Sequence, residues 1–178
     1  MSDNFDHVVY KPEVVEFVTV ANEFCSFVEK FSEYNNRDFF EKARKFLPLL
    51  YLKACLLPKT ESDAYMETEK FVTEDDWIFL HDGLKKLFAQ HDEYAEEFED
   101  RLHETDELQT SSLSENFADI YNALKDFLIL YRDGLLEVMN EALWSLNENF
   151  DLYWGKAIVN SLRVIHNLLS SDIYDLEE

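Results

Sequence analysis

Between Pro12 and Tyr34, Val14, Phe17, Val18, Ala21, Phe24, Cys25, Val28 and Phe31 recur at spacings of three and four. That period places them on one face of a helix, with Glu16, Glu23, Lys30 and Glu33 mainly on the other. Pro12 suits the first turn of this helix, where a missing N–H costs nothing. Asn35 and Asn36 supply a break and a cap. A second helix is predicted from about Arg37 to Leu57, and its second half, from Leu49 onward, is apolar on nearly every side. Such a helix is expected at the centre of a bundle. Pro48 falls inside it and predicts a kink or a break, and Pro58 is a stop.

Lys59 to Val72 reads as a connection. Thr73-Glu74-Asp75-Asp76 then opens a third helix, because Thr73 can cap, Asp76 can reach back, and three carboxylates sit at the positive end of the dipole. Trp77, Leu80, Leu84, Leu87 and Phe88 form its predicted buried face. The stretch from His91 to Thr110 is densely acidic, with Arg101 its only Lys or Arg. Tyr94, Phe98, Leu102 and Leu108 anchor it, and residues 91–111 are expected as an acidic excursion, partly helical.

Ser112-x-x-Glu115 is a capping box for the clearest helix, marked by Phe117, Ile120, Leu124, Phe127, Leu128 and Tyr131. Gly134 predicts its end. A last helical region, Leu135 to Leu169, carries Trp144, Phe150, Trp154, Ile158, Leu162, Ile165 and Leu169, with Gly155 a candidate kink. The pattern predicts one all-α domain over residues 1–178, a mostly antiparallel bundle of five or six helices.

Composition sharpens this picture. With 3 Gly and 3 Pro in 178 residues, the chain lacks the turn residues an all-β domain needs. A formal net charge of −22 repels phosphate backbones and anionic bilayers, so neither nucleic acid nor membrane is an expected partner. The N-terminus is acidic without an apolar signal core, and the most apolar run, Phe46 to Leu57, is too short to span a bilayer. A cytoplasmic setting is expected. Cys25 and Cys55 lie in separate apolar segments and are expected as buried free thiols.

Several blocks resemble a known family. They are Leu47-Pro48-Leu49, Val72-Thr73-Glu74-Asp75-Asp76-Trp77, Leu113 to Tyr121 with Leu124-Lys125-Asp126, and Tyr153-Trp154-Gly155-Lys156 with Ser161 to His166. Together they resemble the bacterial domain-of-unknown-function family DUF5063, most densely from Ser112 onward. The resemblance implies a helical fold and a bacterial cytosolic setting, and no activity. It also implies a His before the Trp-Gly pair, where this chain has Tyr153.

The chemistry in the residues is sparse. There is no HExxH, no cysteine cluster, no GxSxG and no phosphate-binding loop. A di-iron bundle needs two Glu-x-x-His pairs, and none occurs. No metal or other cofactor is expected. Glu93-x-x-Glu96 and Glu97-x-x-Asp100 would suit a Mg²⁺-dependent, all-α nucleotide pyrophosphohydrolase, but Glu115 and Asp119 are four apart and break that pattern.

One polar constellation stands out. Asp119, Asn122, Asp126 and Asp133 form a stripe on one helix, and Lys156, Arg163 and Asn167 form one on the next, with His166 beside them. Antiparallel packing would let Asp126 pair with Arg163 or Lys156. This predicts either a structural salt-bridge network or a polar recognition surface flanked by Tyr153 and Trp154, with Trp154 expected in the core. The leading expectation is a non-catalytic protein-interaction or adaptor domain for a protein partner of basic character. The alternatives are the Mg²⁺ hydrolase and an acidic mimic of nucleic acid.

Overall fold

The computed structural model describes residues 7–62, 68–95 and 110–171. Among these lie six α-helices: α1 Pro12–Glu29, α2 Asn36–Cys55, α3 Glu74–Phe88, α4 Leu113–Asp133, α5 Leu136–Asn149 and α6 Gly155–Ser170. A π-turn, Phe150–Trp154, joins α5 to α6. The two short strands, β1 Glu93–Ala95 and β2 Thr110–Ser112, pair antiparallel with Tyr94 opposite Ser111.

The caps follow the sequence closely. Asn35 accepts from the N–H of Asp38, and Thr73 and Asp76 close a full capping box on α3. Gly134 ends α4 in the left-handed region at φ 80°, where a side chain would be strained. At α4 only the Ser112 half of the expected capping box forms, with Ser112 accepting from the N–H of Glu115. Two further N–H groups of the first turn are met by Asp92, far upstream in sequence. Buried Asp92 accepts from the N–H and hydroxyl of Ser114 at 2.7 and 2.8 Å, and its carbonyl accepts from the N–H of Leu113.

The core is aromatic. Phe24, Phe39, Phe88 and Phe117, from four different helices, are fully buried; Phe39, Phe88 and Phe117 are in mutual ring contact and Phe24 stacks on Phe117. Phe17 is in ring contact with Phe127 and Trp154.

Two expectations need correction. α2 continues through Pro48 without a break. Its buried flanks, Phe40, Ala43, Leu47 and Leu50, hold the helix against a proline cost of about 3 kcal/mol. The second half of α2 is not central: Leu49, Tyr51, Leu52 and Leu56 are exposed, because only one side of it meets the bundle. The described ends of the acidic excursion form the two strands, and residues 96–109, with Phe98, Leu102 and Leu108, where the expected partial helix would fall, lie outside the described residues. No described helix is long and apolar enough to cross a membrane.

Candidate functional site

α4 and the α5–π-turn–α6 segment run side by side in opposite directions, since Asn116 near the start of α4 donates to Ser161 Oγ on α6 at 3.2 Å while Leu130, near the end of α4, lines the same groove as Ala142 on α5. Between them lies a groove of about 480 Å³. The α4 wall contributes Asp119, Asn122 and Asp126 at spacings of three and four. Asn149, Tyr153, Lys156 and Asn160 contribute from the facing wall, and Trp154, Phe127 and Leu146 add apolar surface. Residues 68–70, from the segment linking α2 to α3, close one side.

That linking segment is a strap fastened at both ends. Asn147 and Asn140 on α5 donate to the carbonyls of Pro58 and Glu61, at 3.0 and 2.9 Å. Buried Glu141 accepts from Ser62 Oγ. At the other end Asp126 Oδ1 accepts from the N–H groups of Phe71 and Val72, at 2.8 and 3.0 Å. Lys70 Nζ stands 3.6 Å from Asp126 Oδ2.

The structure thus resolves the predicted constellation unevenly. Asp119, Asn122, Asp126, Tyr153, Trp154 and Lys156 line one groove; Asp133, Arg163 and His166 do not. Asp126 is 4% exposed and pairs with the strap, not with Arg163 or Lys156. The helix register explains the correction: with Asn116 opposite Ser161, Asp126 lies toward the π-turn and beside the strap, from whose N–H groups it accepts. Arg163 donates to the carbonyl of Ala95 at 3.3 Å. Asp133 and His166 are exposed. Trp154 belongs to the core, as expected, and donates from Nε1 to the carbonyl of Leu146.

Asp119 has a partner the sequence did not reveal. Trp77 Nε1, on α3, donates to its Oδ1 at 2.9 Å, and the Trp77 ring stacks on His81 at 4.9 Å. Protein around the carboxyl strips water from it and lifts Asp119 above the usual carboxylate range, against the pull of the Trp77 bond and His81. Among the described residues, the amide of Asn122 makes no hydrogen bond and Lys156 no ion pair. Tyr153, 67% exposed, stands at the mouth with Leu152.

The π-turn aims these two residues. Its ring is closed by Gly155 N–H donating to the carbonyl of Phe150. A Cβ on Gly155 would sit 2.5 Å from that same oxygen, so the turn needs glycine there. π-turns are rare and recur at functional sites.

Of the hydrolase alternative's carboxylates, one falls among the described residues. Glu93 is exposed on β1, and Glu96, Glu97 and Asp100 lie outside the described residues. No cluster of three or more His, Cys, Asp or Glu able to hold a metal occurs among the described residues. Cys25 is buried and its thiol is pushed up to about 12, by burial first; Cys55, expected to be buried, is exposed at the last turn of α2.

The fold and groove define an all-α domain with a cleft between antiparallel helices. The chain belongs to the family described as domain of unknown function DUF5063, which it matches over residues 8–171. It is similar to protein BF1032 from Bacteroides fragilis, a structural genomics target with a crystal structure. That similarity has a TM-score of 0.83 at 37% identity, covering 96% of this chain and 100% of the other. No curated protein matches.

Proposed function

We propose that this protein is a non-catalytic interaction domain whose groove, between α4 and the α5–π-turn–α6 wall, receives a segment of a protein partner. The observation that carries this reading is the set of unengaged polar groups gathered on an apolar floor. Asn122 and Lys156 lack partners among the described residues, and Tyr153 stands exposed at the mouth. Asn122 offers a donor and an acceptor, as a partner's backbone requires. Tyr153 is the kind of residue that dominates binding energy at interfaces. The α4 wall favours a basic side chain, because Asp119 keeps one oxygen clear of the Trp77 bond and the whole chain carries −22.

Affinity purification of the intact protein, eluted in steps of rising salt, tests this reading. One partner should be recovered in near-equal amount, resist moderate salt, and disappear with Tyr153→Ala or Asn122→Arg. A set of basic proteins released at low salt and indifferent to both substitutions would leave net charge as the whole explanation and refute the groove.

A further inference from the structure

The positive charge of this acidic chain is concentrated on two neighbouring helices. α2 carries Arg37, Lys42, Arg44, Lys45 and Lys53 against two acids, Asp38 and Glu41. α6 carries Lys156 and Arg163 and no acid. The whole chain has 38 acidic residues and 16 basic ones. α2 and α6 pack against each other. Arg44 is paired with Glu41, and Lys53 with Glu16 on α1, which leaves Arg37, Lys42 and Lys45 as the α2 cations without a carboxylate partner among the described residues.

The exposed face of α2 is also apolar. Lys42, Lys45, Leu49, Leu52 and Leu56 follow one another at spacings of three, four, three and four, the rhythm of a helix-pairing seam. All five are exposed, the leucines at 41, 55 and 50%. Lys45 makes no ion pair among the described residues, and Lys42 rests on the ring and hydroxyl of Tyr34 rather than on a carboxylate. No α2 residue lines the groove.

We propose that this stripe docks an amphipathic helix of a partner protein, one that sets an apolar ridge on the three leucines and Asp or Glu beside Lys42 and Lys45. Both halves of the stripe select that chemistry. The leucines need an apolar cover in the 3–4 register, and the lysines reject a basic sequence at one defined end. An anionic bilayer would also match lysine beside leucine. The rest of the chain argues against it, because a net −22 on a 178-residue body repels such a surface from every other side. This surface is separate from the groove, and the two together would let the protein bridge partners.

The experiment is selection from a displayed library of helical peptides against the intact protein, followed by fluorescence anisotropy on the enriched sequences. They should share Leu or Ile at 3–4 spacing with Asp or Glu toward one end. Leu52→Glu should weaken them by about tenfold or more. Lys42→Glu with Lys45→Glu should reverse the preference toward Lys-bearing peptides, and Tyr153→Ala, which acts on the groove, should leave the affinity for these α2-docking peptides as it was. All three α2 side chains are exposed, and circular dichroism with urea midpoints confirms that each variant folds. Failure to enrich, enrichment of basic peptides, or indifference to Leu52→Glu would overturn the proposal. So would binding to phosphatidylglycerol vesicles that Leu52→Glu abolishes while peptide binding is absent.

Discussion

Asp126 holds the strap by its backbone, and the cost of removing it can be worked from the contacts. Both N–H groups, of Phe71 and Val72, end on the same oxygen, Oδ1, at 2.8 and 3.0 Å. Hydrogen bonds to a charged group contribute about 1.5–3 kcal/mol each. Asp126→Ala deletes both, leaves two partly buried donors to whatever water reaches them, and opens a small void; about 3–5 kcal/mol of stability should go. Asp126→Asn keeps an oxygen in the Oδ1 position and loses only the charge, so about 1–2 kcal/mol should go. Lys70→Ala removes an exposed amine 3.6 Å from Oδ2 and should cost under about 1 kcal/mol. Urea unfolding measures all three as midpoint shifts at constant slope. Amide exchange at Phe71 and Val72 should accelerate in the alanine variant before the core opens. The reasoning fails if Asn costs as much as Ala, or if Lys70→Ala matches Asp126→Ala. The second outcome would make the ion pair, not the backbone latch, the stabilising contact.

Other predictions rest on single positions. Gly155→Ala, although alanine favours helix, should destabilise by about 1–3 kcal/mol, because its Cβ meets a backbone carbonyl at 2.5 Å; a rise in melting temperature would contradict this. Ala89→Gly should stabilise by roughly 1 kcal/mol, since Ala89 caps α3 at φ 49° and ψ −122°, where a Cβ is strained; thermal unfolding decides it. A thiol reagent should label Cys55 at once in the native protein and Cys25 only on unfolding, and equal rates would refute the assigned burial. Burial, with help from Glu29, raises the Tyr121 hydroxyl, and burial raises the Cys25 thiol. Both keep their protons longer when folded, so the stability they contribute is full below the unfolded values, near 9 for the thiol and 10 for the phenol, and is lost as pH rises beyond them. Tyr121→Phe should soften the alkaline loss. Glu29 works in the acid range: burial raises it, but hydrogen bonds from Lys125 and Tyr121 outweigh that and hold it low. Its contribution should fade as pH falls below the ordinary glutamate value, and Glu29→Gln should flatten that slope.

How much of this was legible depended on whether the signal was local. Helix faces and caps lie within a turn or two of sequence, so Thr73 with Asp76, Asn35 and Gly134 could be read directly. The polar stripe was also readable, and four of its residues, with the flanking Tyr153 and Trp154, do line one groove. What those residues do was not readable, because it depends on helix register and on segments far along the chain. Asp126 meets N–H groups 54 and 55 residues away, Trp77 reaches Asp119 across 42, and Asp92 caps α4 across 22. A backbone N–H leaves no mark in a sequence, so a carboxylate that binds two of them looks like any solvated Asp. The apolar half of α2 misled for a different reason. An all-round apolar helix is what a central position produces, and a half-buried helix with an unsatisfied leucine stripe produces the same pattern.

The groove itself is tested most directly by photo-crosslinking in living cells. A benzophenone amino acid replaces Tyr153 at the mouth and, in a control, replaces exposed Glu23 on α1. Irradiation should give one dominant adduct from position 153, lost when Asn122→Arg fills the groove, and none from position 23. Equal adducts from both positions, or an adduct at 153 that Asn122→Arg leaves unchanged, would contradict the assignment of the groove as the binding site.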